Sequence, residues 1–285
     1  MKKSLCPVCH TFMQVGFDQW HFLCPNCSYE QSNLLVQINV HHAVENIDPN
    51  KRMAGLKKLR KNNFELILKS LSDYLKNGKL LEVGCAHGWF LELALSRFDV
   101  LGIEPDDELK STLLNSNLPV RFGFFPDVLS EQDMFDVIVF NDVFEHISDS
   151  ASVLEKARKH LRNDGFLVIN LPSSKGFFYR AAKIAHKMGI GNFFDRMWQK
   201  SMPSPHLHYF SPINLSTLLE KNGFRVQQIK TLETLKFKGL WQRVTHMRKT
   251  NFFVSLFVFT GVLLLLPLLK ILPKDIFFVI AQKSN

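Results

Sequence analysis

Cysteine is scarce in this sequence. There are five in 285 residues, four of them in two Cys-x-x-Cys pairs, and the fifth, Cys85, has no partner left. That pattern argues against a disulfide framework and for a reducing compartment. Lys2 and Lys3 are not followed by an apolar stretch, so no secretory signal peptide is read and the expected compartment is cytoplasmic. Acidic residues are also in deficit, 26 against 35 basic ones, for a net charge of +9. Such a surface suits nucleic acid, anionic lipid or an acidic substrate without choosing among them. With 46% hydrophobic and 21% charged residues the chain is not disordered and can bury a large core. Charge is missing altogether from the eighteen residues between Phe252 and Leu269.

What is present begins with the cysteines. Cys6-Pro-Val-Cys9 and Cys24-Pro-Asn-Cys27 are two similar turns separated by enough chain for a hairpin. Together they offer the four-thiolate tetrahedral shell that Zn2+ prefers, so residues 1–32 are expected to be a structural zinc ribbon. A redox pair is the alternative. Nucleic-acid binding would need exposed basic and aromatic residues, and only Lys2, Lys3, Phe17, Trp20 and Phe22 are at hand. Residues 33–76 are expected to be a linker and an N-terminal helix. Met53, Leu56, Leu59, Phe64, Leu68 and Leu71 recur at helical spacing, and the basic face between them is taken as solvated surface.

From residue 77 the pattern changes to short apolar runs alternating with helical ones. Strands are expected at 79–83, 100–104, 119–122, 135–140 and 166–171, with helices at 88–97 and 151–161. Strand and helix in alternation predict an α/β fold with a largely parallel sheet, helices on both faces, and ligands at the carboxyl ends of the strands. The first such end reads Leu-Leu-Glu-Val-Gly-Cys-Ala-His-Gly, with Gly84 and Gly88 freeing backbone amides at a helix start. About twenty residues on, the next strand ends in Glu104, where a carboxylate can accept both hydroxyls of a ribose.

These stretches resemble the class I S-adenosylmethionine-dependent methyltransferases. Residues 81–88 are similar to that family's first motif and residues 102–106 to its second. Residues 135–149 resemble the fourth strand and following loop of the subgroup that includes ubiquinone-biosynthesis O-methyltransferases and glycan or tailoring methyltransferases, and residues 206–224 resemble its last helix. The resemblance implies a Rossmann-like seven-stranded sheet, S-adenosylmethionine as cofactor, and Glu82, Gly84, Gly88, Glu104, Phe124 and Asn141 as the residues that bind it. Two positions depart from the pattern. Ala86 stands where a glycine is common, and the acid usual after the third strand is absent, which leaves Phe124 to pack on adenine. The competing dinucleotide fold wants a full Gly-x-Gly-x-x-Gly, which Gly-Cys-Ala-His-Gly does not supply.

Methylating a hydroxyl calls for a positioned base, and His146, His206 and His208 are the candidates. The run Asp142-x-x-Glu145-His146 also offers a weaker possibility, Mg2+ held by oxygen ligands. Residues 174–205 form an insertion in which Phe177, Ala181, Ile184 and Met188 share one helical face, and Arg180, Lys183 and Lys187 another. Such a helix suits either an anionic membrane surface or a lid. A second insertion, residues 232–274, carries the uncharged run. At about 1.5 Å per residue that run spans roughly 27 Å, short for a hydrocarbon core of about 30 Å. Residues 275–283 resemble the family's last, antiparallel strand. A run that returns to the sheet must begin and end on one side of the membrane, so a re-entrant or interfacial hairpin is expected over a single span or a buried element. The expected protein is a cytoplasmic, membrane-associated methyltransferase of a lipid-linked saccharide or quinone-like lipid. The alternatives are a cytosolic enzyme acting on nucleotide-linked sugars and a zinc-ribbon nucleic-acid binder.

Overall fold

The computed structural model describes residues 4–40, 49–235, 240–245 and 252–284. The cysteine ribbon comes first, with three short strands: β1 (Gln14–Val15), β2 (His21–Leu23) and β3 (Glu30–Ser32). Strands this short bury too little surface to hold themselves. The ribbon's sheet is completed by β9 (His208–Tyr209) from the far end of the chain, so its order is β1-β2-β3-β9.

Helix α1 (Pro49–Leu71) follows, and it buries Leu59, Phe64, Ile67, Leu68 and Leu71 on the side expected from their spacing. The main sheet then alternates with helices: β4 (Gly78–Val83), α2 (Trp89–Ala94), β5 (Phe98–Glu104), α3 (Lys110–Leu114), β6 (Val120–Phe122), β7 (Phe135–Asn141), α4 (Ser150–His160) and β8 (Leu161–Pro172). The first insertion carries α5 (Phe177–Lys187) and α6 (Asn192–Met197) ahead of β9. Helix α7 (Pro212–Lys221) and β10 (Phe224–Leu232) follow, then α8 (Leu240–Val244) and α9 (Phe252–Leu265) in the second insertion, and β11 (Ile276–Lys283) closes the chain. Ser211 caps α7 in a reciprocal box with Asn214, and Pro212 takes the first turn.

The seven strands lie in the order β10-β11-β8-β7-β4-β5-β6. Strands β4 to β8 run parallel, and β11 is antiparallel to both β8 and β10. The central strands are apolar on both faces and sit between two hydrophobic clusters, one under α4 and α7 and the other under α1 and α2. This is the Rossmann-like sheet that the sequence led us to expect.

The topology places the two insertions. Because β11 enters against β8, Ile276 pairs with both Pro172 and Leu232. The first insertion leaves at the end of β8, and the second leaves at Leu232 and returns at Ile276. All three points lie at the carboxyl end of the parallel strands, where ligands bind in such sheets. Their roots are stitched together. The amides of Phe178 and Tyr179 donate to the Asp275 carboxylate at 2.7 and 3.3 Å, and Phe177 N donates to the Pro273 carbonyl at 3.0 Å.

Two alternatives left open by the sequence narrow here. The α5 face formed by Phe177, Ala181, Ile184 and Met188 does not pack inward, since Ile184 is 61% and Met188 73% exposed. Instead Tyr179 and Ala182 are buried, and Lys183, from the basic face, is bonded to Glu30 at 2.8 Å. A single transmembrane span is also excluded by the pairing of Leu232 with Ile276, which brings both ends of the second insertion to one place. No helix among the described residues is long and apolar enough to cross a membrane. Helix α9 is roughly 21 Å long at about 1.5 Å per residue, and it packs against α8, with Trp241 meeting Phe252 and Phe259. Phe257, Leu264 and Ile271 stand 80%, 74% and 82% exposed. Arg248 and Lys249, basic residues before the run, lie outside the described residues.

Candidate active site

The turn from β4 into α2 is built for close approach. Gly84 and Gly88 have φ of 69° and 71°, and a Cβ on Gly84 would come within 2.5 Å of Val143. Ala86, where the family favours glycine, still takes a left-handed φ of 47°. Its amide donates to Glu104 Oε2 at 2.7 Å, while Asp106 N donates to Glu104 Oε1 at 2.9 Å. The Glu104 carboxylate is thus fixed by two loops at once and keeps lone pairs for a ligand's hydroxyls. Burial pushes its pKa up, so a hydrogen-bonding ligand there meets a poorly solvated acceptor. Gly123 N bonds the Glu104 carbonyl at 3.0 Å, which sets Phe124 just beyond, half open to solvent.

On the other side of the turn, Asn141 Nδ2 donates to Glu82 Oε1 at 2.9 Å, and both residues are buried. Glu82 Oε2 and Asn141 Oδ1 have no partner among the described residues. Burial raises the Glu82 carboxyl to about 8, with the Asn141 bond opposing it. Arg60 of α1 reaches the same place, its guanidinium 3.1 Å from the Asp142 carboxylate, and its charge is felt at Glu82, His87, Glu145 and His146. Unpaired buried acceptors beside a guanidinium match the ammonium and carboxylate of an amino-acid moiety, and Glu104 matches a ribose. The residues present therefore fit S-adenosylmethionine. Sequence reasoning passed over Arg60, which belongs to the basic face taken as solvated surface. The available signal was its place on a helix leading straight into the glycine turn.

The three histidines separate. Glu145, His146 and His206 come together with ligand atoms all within 4.8 Å of one another. His146 donates its Nδ1 proton to the Pro205 carbonyl at 2.8 Å, which leaves the lone pair on Nε2. Burial lowers its pKa, so the ring is neutral near pH 7. His206 has Gln199 on Nε2 at 2.8 Å and, among the described residues, no partner on Nδ1. His208 has both nitrogens engaged, by Tyr29 OH and by the Ile147 carbonyl, and burial drops its pKa to about 4. Both of its ring nitrogens are thus engaged, whereas Nε2 of His146 is not bonded to a carbonyl among the described residues.

Magnesium fits poorly. Asp142 is occupied by Arg60, and the residues that gather are one carboxylate and two imidazoles rather than a set of oxygens. Zinc fits the ribbon well. Cys6 Sγ lies 3.5 Å from Cys27 Sγ and Cys9 Sγ 3.4 Å from Cys24 Sγ, with all four within 4.8 Å. A tetrahedron of about 2.3 Å zinc–sulfur bonds has edges just under about 4 Å. None of the four forms a disulfide. The aromatic residues proposed for nucleic acid are consumed in packing, with Trp20 buried and Phe17 and Phe22 half-buried.

The sequence family described as Methyltransferase domain matches residues 56–229, more than half of the chain. The chain belongs to the class I S-adenosylmethionine-dependent methyltransferases. This methyltransferase is 26% identical over 180 residues to the mitochondrial ubiquinone biosynthesis O-methyltransferase of Bos taurus, an alignment covering 59% of this chain and 46% of that one. It is 21% identical over 199 residues to the ubiquinone biosynthesis O-methyltransferase of Rickettsia akari (strain Hartford), covering 67% and 76%. The chain thus spans about half the length of the mammalian relatives it matches. Among solved structures, the fold is shared with a cyclopropane synthase from Mycobacterium tuberculosis, at a TM-score of 0.56, 16% identity and coverage of 84% and 89%. It is also shared with phosphoethanolamine N-methyltransferase 2 of Haemonchus contortus in complex with S-adenosyl-L-methionine, at 0.54, 13%, 79% and 53%.

In the methyltransferase's candidate cofactor site, Glu104→Ala removes the carboxylate that joins both loops. Losing those charge-assisted bonds costs about 2 kcal/mol or more, roughly thirty-fold in Kd. Isothermal titration with S-adenosylhomocysteine checks this, and an unchanged Kd would refute the assignment.

Proposed function

We propose that the methyltransferase transfers the methyl group of S-adenosylmethionine to a hydroxyl of a membrane-borne acceptor, a lipid-linked saccharide or a quinone-like lipid. The single observation carrying the acceptor class is that both greasy insertions leave the sheet at its ligand end, beside the cofactor residues, with apolar side chains open on α5 and α9. The quinone-like option rests on the names of the bovine and rickettsial relatives.

S-adenosylmethionine, when bound, supplies an electrophilic methyl on a sulfonium. Glu104 and Phe124 hold its adenosine end, and Arg60, Glu82 and Asn141 its amino-acid end, over the Gly84–Gly88 turn. His146 holds an open lone pair at Nε2 and takes the acceptor's hydroxyl proton there. Burial, with the Asp142 charge adding to it, pushes the Glu145 carboxyl up. One Zn2+ on Cys6, Cys9, Cys24 and Cys27 closes the ribbon and takes no part in the chemistry, since four thiolates leave no open position.

The α8–α9 insertion lies as an interfacial hairpin on the cytoplasmic membrane, with the exposed face of α5 beside it. Burying Phe257 and Leu264 in lipid contributes about 1.5–3 kcal/mol each. Phe257→Asp with Leu264→Asp is therefore expected to cut partitioning onto phospholipid vesicles by roughly a hundred-fold or more, with the cofactor Kd unchanged. Co-sedimentation with vesicles checks it. Equal sedimentation of variant and wild type would overturn the membrane reading.

A further inference from the structure

We infer that the cysteine ribbon is a working part of the catalytic site, in which Ser32 positions the Pro205 carbonyl that sets the proton on His146. This deepens the assignment of His146 as the base and rests on it.

The ribbon and the base share one segment of chain, residues 205–208. On the ribbon side, β3 pairs with β9, with Glu30 opposite Tyr209 and Gln31 opposite His208. Ser32 continues this pairing with two bonds, its amide to the Leu207 carbonyl at 2.9 Å and its hydroxyl to the His206 carbonyl at 2.8 Å. On the opposite side, the same segment is bonded to the turn that carries the base. Leu207 N donates to the Glu145 carbonyl at 2.8 Å, His208 Nε2 to the Ile147 carbonyl at 2.7 Å, and His146 Nδ1 to the Pro205 carbonyl at 2.8 Å. The peptide that carries the Pro205 carbonyl is fastened at its other end, where His206 N donates to the Trp198 carbonyl at 3.0 Å. Ser32 fixes the next peptide, which shares the His206 Cα with it, so the two bonds together set where the Pro205 carbonyl lies.

The rest of the ribbon is anchored as a positioning element needs to be. Glu30, 2% exposed, accepts from His21 Nε2 at 2.9 Å, Tyr179 OH at 2.7 Å and Lys183 Nζ at 2.8 Å, which ties β3 to α5 of the acceptor-side insertion. Lys221 Nζ bonds the Val8 carbonyl at 2.6 Å, and Tyr29 bonds His208. A buried carboxylate satisfied by three donors fixes one arrangement of its neighbours. The ribbon, the 205–208 segment and the first insertion thus form one block. The consequence for His146 is a fixed tautomer. With Nδ1–H held by Pro205, Nε2 is the basic atom, and displacement of that carbonyl lets the ring rotate or exchange tautomers.

The test uses the full chain loaded with zinc, as wild type, Ser32→Ala and Ser32→Thr. Histidine-ring NMR reads the His146 Nδ1 proton, isothermal titration reads S-adenosylhomocysteine binding, and turnover is followed with 4-decylcatechol as the hydroxyl probe. The His146 Nδ1 proton is expected to be slowly exchanging in wild type and Ser32→Thr, and to exchange fast in Ser32→Ala. Cofactor affinity stays within two-fold in all three. Turnover of the probe falls about five-fold in kcat for Ser32→Ala, with KM unchanged, and returns in Ser32→Thr. A Ser32→Ala protein that keeps the slow Nδ1 proton overturns the inference, as does one that loses cofactor binding in step. Full turnover in His146→Gln instead defeats the base assignment, and the ring signal separates that failure from a failure of positioning.

Discussion

Replacing His146 with glutamine is expected to lower kcat by about 10²- to 10⁴-fold, the range supplied by a positioned general base, while S-adenosylhomocysteine binds as before. The expectation follows from the ring's surroundings. The Pro205 carbonyl takes the Nδ1 proton at 2.8 Å, so the free lone pair is on Nε2, and burial disfavours the charged ring. The pH dependence carries a definite sign. A base must be unprotonated, and a pKa held below the ordinary 6.5 keeps it so to lower pH. The rate is therefore flat at pH 7–8 and falls as acid is added, with a midpoint under 6.5. A midpoint above 7, or a glutamine variant with wild-type kcat, would assign the proton transfer elsewhere.

The second large effect is expected at the ribbon. Cys6→Ser with Cys24→Ser, or stripping by a strong chelator, takes one ligand from each turn or all four from the metal. Three strands of two or three residues cannot replace a metal-binding free energy on the order of 10 kcal/mol. Because β9 and the aromatic cluster of Trp20, Tyr179, Phe194, Trp198 and Tyr209 belong to both parts of the molecule, the damage extends past the ribbon. If about 4 kcal/mol of it reaches the main unfolding transition, Tm falls by roughly 7 °C. The tryptophan emission of Trp20 and Trp198 should shift to the red in parallel. Loss of one zinc equivalent with Tm and emission unchanged would show that the ribbon is an appendage.

The parts of this architecture that were legible in the sequence are those whose signals are local. Apolar runs alternating with helical spacing announce the parallel sheet from Lys79 to Leu171, and Gly84, Gly88 and Glu104 lie at the ends of adjacent strands, where a ligand is expected. The two cysteine pairs gather as their spacing suggests. What escaped depends on contacts between distant residues. Ser32 meets His206 across 174 positions, and no pattern near either residue says so. Amphipathic spacing in α5 reveals two faces without revealing which one meets the protein. Here the decision falls to Glu30, which draws Lys183 inward and leaves Ile184 and Met188 outside. Arg60 was missed because a basic helix face usually is solvated surface, and only the fold lays it across the glycine turn. The three histidines looked alike as letters, and their hydrogen-bond partners set them apart.

The uncharged run from Phe252 to Leu269 changes its meaning through topology. By composition it resembles an anchor. The pairing of Leu232 with Ile276 makes it an excursion that leaves and returns at the carboxyl end of the parallel strands, which is what an enzyme needs if its acceptor is held in lipid.

The measurement that tests this account most directly is methyl transfer from S-adenosyl-[methyl-14C]methionine into a membrane lipid extract presented in vesicles, with wild type and His146→Gln compared. The account predicts label in the solvent-extractable lipid fraction with wild type and little with the variant. Label confined to water-soluble products, or equal in the two proteins, would contradict it.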